Sequence, residues 1–207
     1  MMSWCHQQLA GIDQLAPGDI IGYSGDNWLS WMVNLATYGV PWWNLSHIGI
    51  VGEYTFPGKT VPELLLFEST ESTSELPCAI TGKPFHGSQA FHISPRLQEY
   101  QGKVWHYPLC RPLYDFERAR LNKFLMDTLH IPYDEMGACR SAGIGLSWIE
   151  SLLREQDLTS IFCSEWCCAA HTYIGLFRTD NVSRWSPNRF VRVERRVHIL
   201  RKRQRLK

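Results

Sequence analysis

The apolar positions of this chain change period from stretch to stretch, and the changes mark its elements. Residues 15–23, LAPGDIIGY, read as a turn at Pro17-Gly18 followed by a short strand. Asp26 is a capping residue type. After it, Trp28, Trp31, Met32 and Leu35 recur at i, i+3, i+4 and i+7, which predicts a helix that ends at Gly39 and Pro41. A β-rich run follows at 46–54, SHIGIVGEY, and a second strand at 64–70, LLLFEST; residues 90–94 and 103–109 give a third and a fourth. Over 115–130 the period is helical, with Phe116, Ala119, Leu121, Phe124, Leu125 and Leu129 largely on one side. IPYD at 131–134 breaks it, 144–155 predicts another short helix, 159–177 a buried helix, and SPNRF at 186–190 a loop. A helix, a cluster of strands and then helices is the order of an α+β fold rather than of an alternating parallel sheet.

Composition adds a boundary. With 207 residues, 44% of them hydrophobic, and nine tryptophans, the chain suits one well-filled domain with an appendage. The formal charge of +1 hides an asymmetry, because residues 195–207 hold seven Lys/Arg and no acid. The body, 1–194, then carries 14 basic against 20 acidic residues, a formal −6. The tail has little apolar pattern beyond Val197, Ile199 and Leu200, which could form one edge strand, and no interleaved aromatics, so it reads as a basic segment either solvated or packed on the acidic body, and nucleic-acid binding is not expected. Seven cysteines in no regular framework point to a reducing compartment. The N-terminal stretch has neither a basic n-region nor an apolar h-region, and no run of about 18 apolar residues occurs. A cytoplasmic chain without a membrane span is the expectation.

Chemistry concentrates in three places. Cys163 falls in the first turn of the predicted 159–177 helix if Ser160 caps it. Unpaired N–H groups and the positive end of the helix dipole favour a thiolate there and can stabilise an oxyanion beside the sulfur. Cys167 and Cys168, one turn deeper, suit the ordinary role of small buried residues. A thiolate needs a base, and among eight histidines His47 is best placed, on a strand face shared with Gly49 and Val51. Gly49 leaves room beside it. Glu68, at the end of an apolar strand, can hold the second imidazole nitrogen, with Glu71 the competitor three residues on. The opposing readings are a buried apolar cysteine, a structural histidine and a strand-end charge reaching solvent. Zinc binding through Cys163, Cys167, Cys168 and His171 fails on distance, since i and i+8 lie about 12 Å apart along a helix. Neither metal nor cofactor is expected.

In the order PGDIIGY, SHIGIV, LLFES and FCSEW, the chain resembles the permuted papain-like superfamily, and within it the YiiX/YebB-like branch of NlpC-type cysteine peptidases. The resemblance covers about residues 17–190. It implies a circularly permuted papain-like fold, with an antiparallel sheet packed against helices, and a peptidase or amidase working through a thioester. Cys163 would be the nucleophile, His47 the base and Glu68 the orienter. The matching pieces, with IPYD and SPNRF lining the site, imply Tyr23, Trp43, Tyr133, Ser164 and Trp166 as substrate contacts. Trp166 stands where the family usually has an aliphatic residue, and Trp42-Trp43 precede His47 closely, which implies a narrower, more aromatic pocket. The substrate would be a peptide or small acyl compound. Lipid acyltransferases of the lecithin-retinol type share the same cysteine–histidine chemistry and are the alternative, and a non-enzymatic binding module is the third reading.

Overall fold

The computed structural model describes residues 11–24, 45–70, 76–131, 162–180 and 185–207. These residues form an α+β fold with one six-stranded antiparallel sheet and four helices. The strands are β1 (Ile20–Ser24), β2 (His47–Tyr54), β3 (Glu63–Thr70), β4 (Gly87–His92), β5 (Lys103–Tyr107) and β6 (Gln204–Arg205), in the spatial order β4-β3-β2-β1-β5-β6. The helices are α1 (Ile93–Glu99), α2 (Asp115–Asp127), α3 (Phe162–Tyr173) and α4 (Pro187–Arg196). The helices expected after Asp26 and over 144–155 lie outside the described residues. No described helix is long and apolar enough to cross a membrane.

Strand alternation gives the sheet two apolar faces. Ile20, Ile48, Ile50, Leu65 and Phe67 enter the larger core, with Leu121, Phe124 and Leu125 of α2 and Cys163, Trp166, Cys167 and Ala170 of α3. Ile21, Tyr23, Val51, Leu66 and Val104 face the other way, into a smaller core closed by Ile93 and Leu97 of α1, Leu15 and Leu206. Glu68 shares its face with Leu66 and so belongs to the second side, opposite the helix that carries Cys163.

The Pro17-Gly18-Asp19 turn starts the sheet. Gly18 has φ +90°, and a Cβ there would lie 2.7 Å from Leu109 Cδ1, so both backbone and space call for glycine. Asp19 folds back. Its carboxylate accepts from the backbone N–H of Ala16 (2.9 Å) and of Leu109 (2.8 Å), and from His106 Nε2 (2.7 Å). α3 is tied to this turn two helical turns beyond Cys163. His171 Nε2 donates to the Gly18 carbonyl (3.0 Å), and Nδ1 meets both Glu194 oxygens of α4 at 2.8 and 2.9 Å.

Three parts differ from expectation. The third strand begins earlier and stops at His92, where the chain turns into α1, whose Pro95 in the first turn needs no donor. SPNRF is not a loop. Ser186 caps α4, accepting from Arg189 N, and Pro187 occupies the first turn. Of the two readings of the basic segment, it is the packed one that the structure shows, with a strand later than residues 197–200. Leu200 bridges Leu109, β6 pairs β5, Leu200 and Leu206 are buried in the two cores, and Arg203 lies over the Trp105 ring at 4.1 Å. Lys207 Nζ reaches the carbonyls of Leu97, Gln98 and Tyr100 at 3.2, 3.0 and 2.6 Å, where the C-terminus of α1 favours a cation. Two buried leucines flank a short strand whose own side chains, Gln204 and Arg205, are polar and exposed, as suits a sheet edge.

Leu206→Ala should cost about 2–3 kcal/mol as a buried leucine truncation, or roughly 5–10 °C in Tm for a chain of this size. An unchanged Tm would show that residues 201–207 contribute nothing to the fold.

Candidate active site

His47 is the first residue of β2, at the end of the sheet, where a side chain can reach past the strand ends toward either face. The backbone before it is fixed twice. Leu45 N–H donates to Asn188 Oδ1 and the Asn188 amide donates to Leu45 O, both at 3.0 Å. Ser46 N–H then donates to Tyr23 O at 2.9 Å. Asn188, fully buried in the first turn of α4, therefore sets where β2 begins. It is the asparagine of SPNRF, and it acts on the site through the backbone two residues before His47.

The carboxylate of Glu68 lies against the imidazole, with Nε2 to Oε2 at 3.0 Å. This approach depends on Gly49, two residues after His47 and one before the Ile50–Phe67 pair. A Cβ on Gly49 would lie 2.8 Å from Glu68 Cγ and 2.9 Å from the Phe67 carbonyl oxygen. Glu68 has no exposed surface. Burial alone would favour its neutral form, but the Arg96 guanidinium and the His47 hydrogen bond and charge outweigh it and bring the pKa down to about 2. Tyr23, also fully buried, donates its hydroxyl to Glu68 Oε1.

Cys163 comes from the opposite face, in the first turn of α3, with 7% of its surface exposed. Its sulfur acts on the His47 ring strongly enough to raise the imidazole. With Nε2 taken by Glu68, Nδ1 is the nitrogen left for the sulfur. Burial works against a charged imidazole, yet the Cys163 charge and hydrogen bond, joined by those of Glu68, lift His47 to about 10. Because the sulfur and the ring interact so strongly, this titration belongs to the pair. The His47 side chain keeps 20% of its surface exposed. The three residues singled out from the sequence thus form one chain of contacts around the sheet end, from helix to strand to strand. Burial pushes the Cys167 and Cys168 thiols up, as suits inert core residues.

The expected substrate contacts fare differently. Tyr23, Ser164 and Trp166 are buried, at 0%, 0% and 2% exposure. Tyr23 engages Glu68 from behind, and Trp166 donates Nε1–H to Thr128 Oγ1 (2.9 Å) within the core against Phe67 and Phe124. None of these three lines an open surface. Trp43 and Tyr133 lie outside the described residues, as do the Ser160 cap and the competitor Glu71. Sequence reasoning passed over Arg96, which donates to both oxygens of Glu68. Among the described residues no group of three His, Cys, Asp or Glu side chains is placed to hold a metal ion, and both nitrogens of His171 are engaged.

No protein-family model matches the chain, and no curated protein matches it.

Two outcomes test this geometry. The Glu68 pKa is depressed from 4.5 to about 2, so its stabilisation is complete above pH 4.5 and disappears as the pH falls toward 2. His47 is raised from 6.5 to about 10, so its contribution is complete below pH 6.5 and is lost as the pH rises toward 10. In urea unfolding across this range, Glu68→Gln should lose the acid-side slope of the wild type and His47→Ala the alkaline-side slope; parallel curves would contradict the site. Asn188→Ala should cost about 1–3 kcal/mol by leaving buried backbone groups of Leu45 unpaired, and an Asn188→Ala protein as stable as the wild type would remove the clamp from the account.

Proposed function

We propose that the chain is a cysteine-nucleophile hydrolase, a peptidase or amidase of the permuted papain-like kind, with Cys163 as nucleophile, His47 as base and Glu68 as orienter. The observation that carries the reading is one imidazole, His47, bonded at 3.0 Å to a fully buried carboxylate and raised by the charge of Cys163, a cysteine at a helix start. The order of the pieces supports it as well: histidine strand, glutamate strand, then cysteine helix.

In the reactive form of the pair the sulfur is the thiolate and His47 holds the proton. The thiolate attacks the substrate carbonyl carbon, and the carbonyl π electrons move to oxygen. N–H groups at the start of α3 face the developing oxyanion. The C–N bond breaks as the imidazolium gives its proton to the departing nitrogen, leaving an acyl thioester on Cys163. A water then attacks the thioester carbonyl while His47 takes its proton. Collapse expels the thiolate and releases the acid. Glu68 remains ionised throughout; it holds the ring and balances its charge. A peptide or a small acyl amide is the substrate class that this chemistry fits.

Limiting iodoacetamide at about pH 6.5 should modify Cys163 before any other cysteine, because helix-start, histidine-paired thiolates react below the ordinary thiol range. Cys110, the partly exposed competitor, should lag. His47→Ala should slow the labelling strongly and Glu68→Gln less. An activated acyl ester should leave its acyl group on Cys163 in intact-mass and peptide maps. Labelling of Cys110 or Cys5 first, with Cys163 inert in the folded protein, would overturn the assignment.

A further inference from the structure

The Glu68 carboxylate has more partners than orienting a histidine requires. Oε2 meets His47 Nε2 at 3.0 Å, Arg96 Nη2 at 2.9 Å and Arg96 Nε at 3.2 Å; Oε1 accepts from Tyr23 and from Arg96 Nε at 3.3 Å. This fills the acceptor sites of a carboxylate. The guanidinium is itself held. Nη1 donates to Glu99 at 2.9 Å, and its carbon lies 5.0 Å from the Phe91 ring centre and 5.7 Å from that of Tyr23. Arg96 is buried, so this fork is fixed in place rather than sampled.

We infer that Arg96, seconded by Tyr23, is a positioning residue of the site: it fixes Glu68 as an ionised, shared acceptor, so that Glu68 orients the His47 ring without taking its proton. The inference rests on the reading of Cys163 and His47 given above. A buried carboxylate facing only an imidazole has two ways to lose its charge: drawing the proton from the ring, or binding one from solvent. Either weakens the hold of His47 on the proton that the Cys163 thiol releases. A fixed cation on the far side of the carboxylate removes both. The groups facing Glu68 are Tyr23 from β1, His47 from β2 and Arg96 from α1, while Cys167 of α3 feels its charge from the other side of the sheet. Cys163 lies beyond His47, Glu99 beyond Arg96, and Tyr100 against the Tyr23 ring. Arg96 is the one cation among them whose charge is independent of pH in the working range.

The test reads Glu68 directly and its consequence separately. Carbon NMR of the Glu68 carboxyl should place its titration in Arg96→Gln about one to three pH units above the wild type, the shift expected on loss of an adjacent opposite charge. In the same variant the acid limb of the iodoacetamide rate at Cys163 should move upward in pH by a similar amount. Arg96→Lys should restore only part of it, because an ammonium lacks the two-pronged geometry. Tyr23→Phe should give a smaller shift in the same direction, and it decides the matter should Arg96→Gln not fold. An unmoved acid limb in a folded variant whose Glu68 has shifted would overturn the positioning role, and an unmoved Glu68 would overturn the clamp itself. If instead wild-type Cys163 is inert or indifferent to His47, while Glu68 shifts as described, the hydrolase reading is what fails.

Discussion

A carboxylate with no access to water sits near the end of β3, and much of the site follows from how its charge is balanced. Burying an ion unpaired is prohibitive, so Glu68 is kept charged only by what surrounds it: a guanidinium, a phenol and an imidazole, each from a different element. Each partner is thereby fixed in return. The helix α1 must lie where Arg96 can reach, β1 must place Tyr23 beside β2, and His47 must present Nε2 inward. That leaves its other nitrogen for the sulfur on the opposite side. The charge arrangement and the fold are therefore one constraint.

The backbone meets this constraint at few points. Gly49 lets the carboxylate lie flat against its neighbouring strand. Asn188 locks the residue from which β2 departs, and the His171–Glu194 pair ties the cysteine helix both to the turn before β1 and to α4. That buried pair shares a proton held between two acceptors, because the Gly18 carbonyl requires Nε2 to be a donor while Nδ1 faces a carboxylate. Burial raises Glu194, and the Glu194 charge raises His171 against the opposing effect of burial.

Sequence pattern reached some of this and missed the rest for physical reasons. β2 and β3 were legible because their apolar runs are long and bounded by turn residues, and α2 because its apolar period is sustained. Cys163, His47 and Glu68 could be singled out because each breaks its surroundings: a thiol at a helix start, a histidine beside small residues, an acid ending an apolar strand. Arg96 breaks nothing. It stands 28 positions from Glu68 in a short polar helix, and its meaning exists only once β3, β4 and α1 are assembled. Tyr23 was noticed without its Glu68 partner, since strand alternation fixes a face and not what that face meets. In α4 the arginines at 189, 192, 195 and 196 mask the few apolar residues, although Ser186-Pro187 is a start signal. The basic tail hid its strand in the same way, with Leu206 the single apolar residue after Leu200 to mark that it turns inward.

The central claim is that Cys163 and His47 form a charge pair. Titration of the His47 ring by nitrogen NMR, in the wild type and in Cys163→Ala, tests it most directly. The Cys163 charge is the largest influence raising this histidine, so the wild-type ring should titrate near pH 10 and the variant's clearly lower, with Glu68 alone opposing the effect of burial. An imidazole that titrates at the same pH with and without the sulfur would contradict the account.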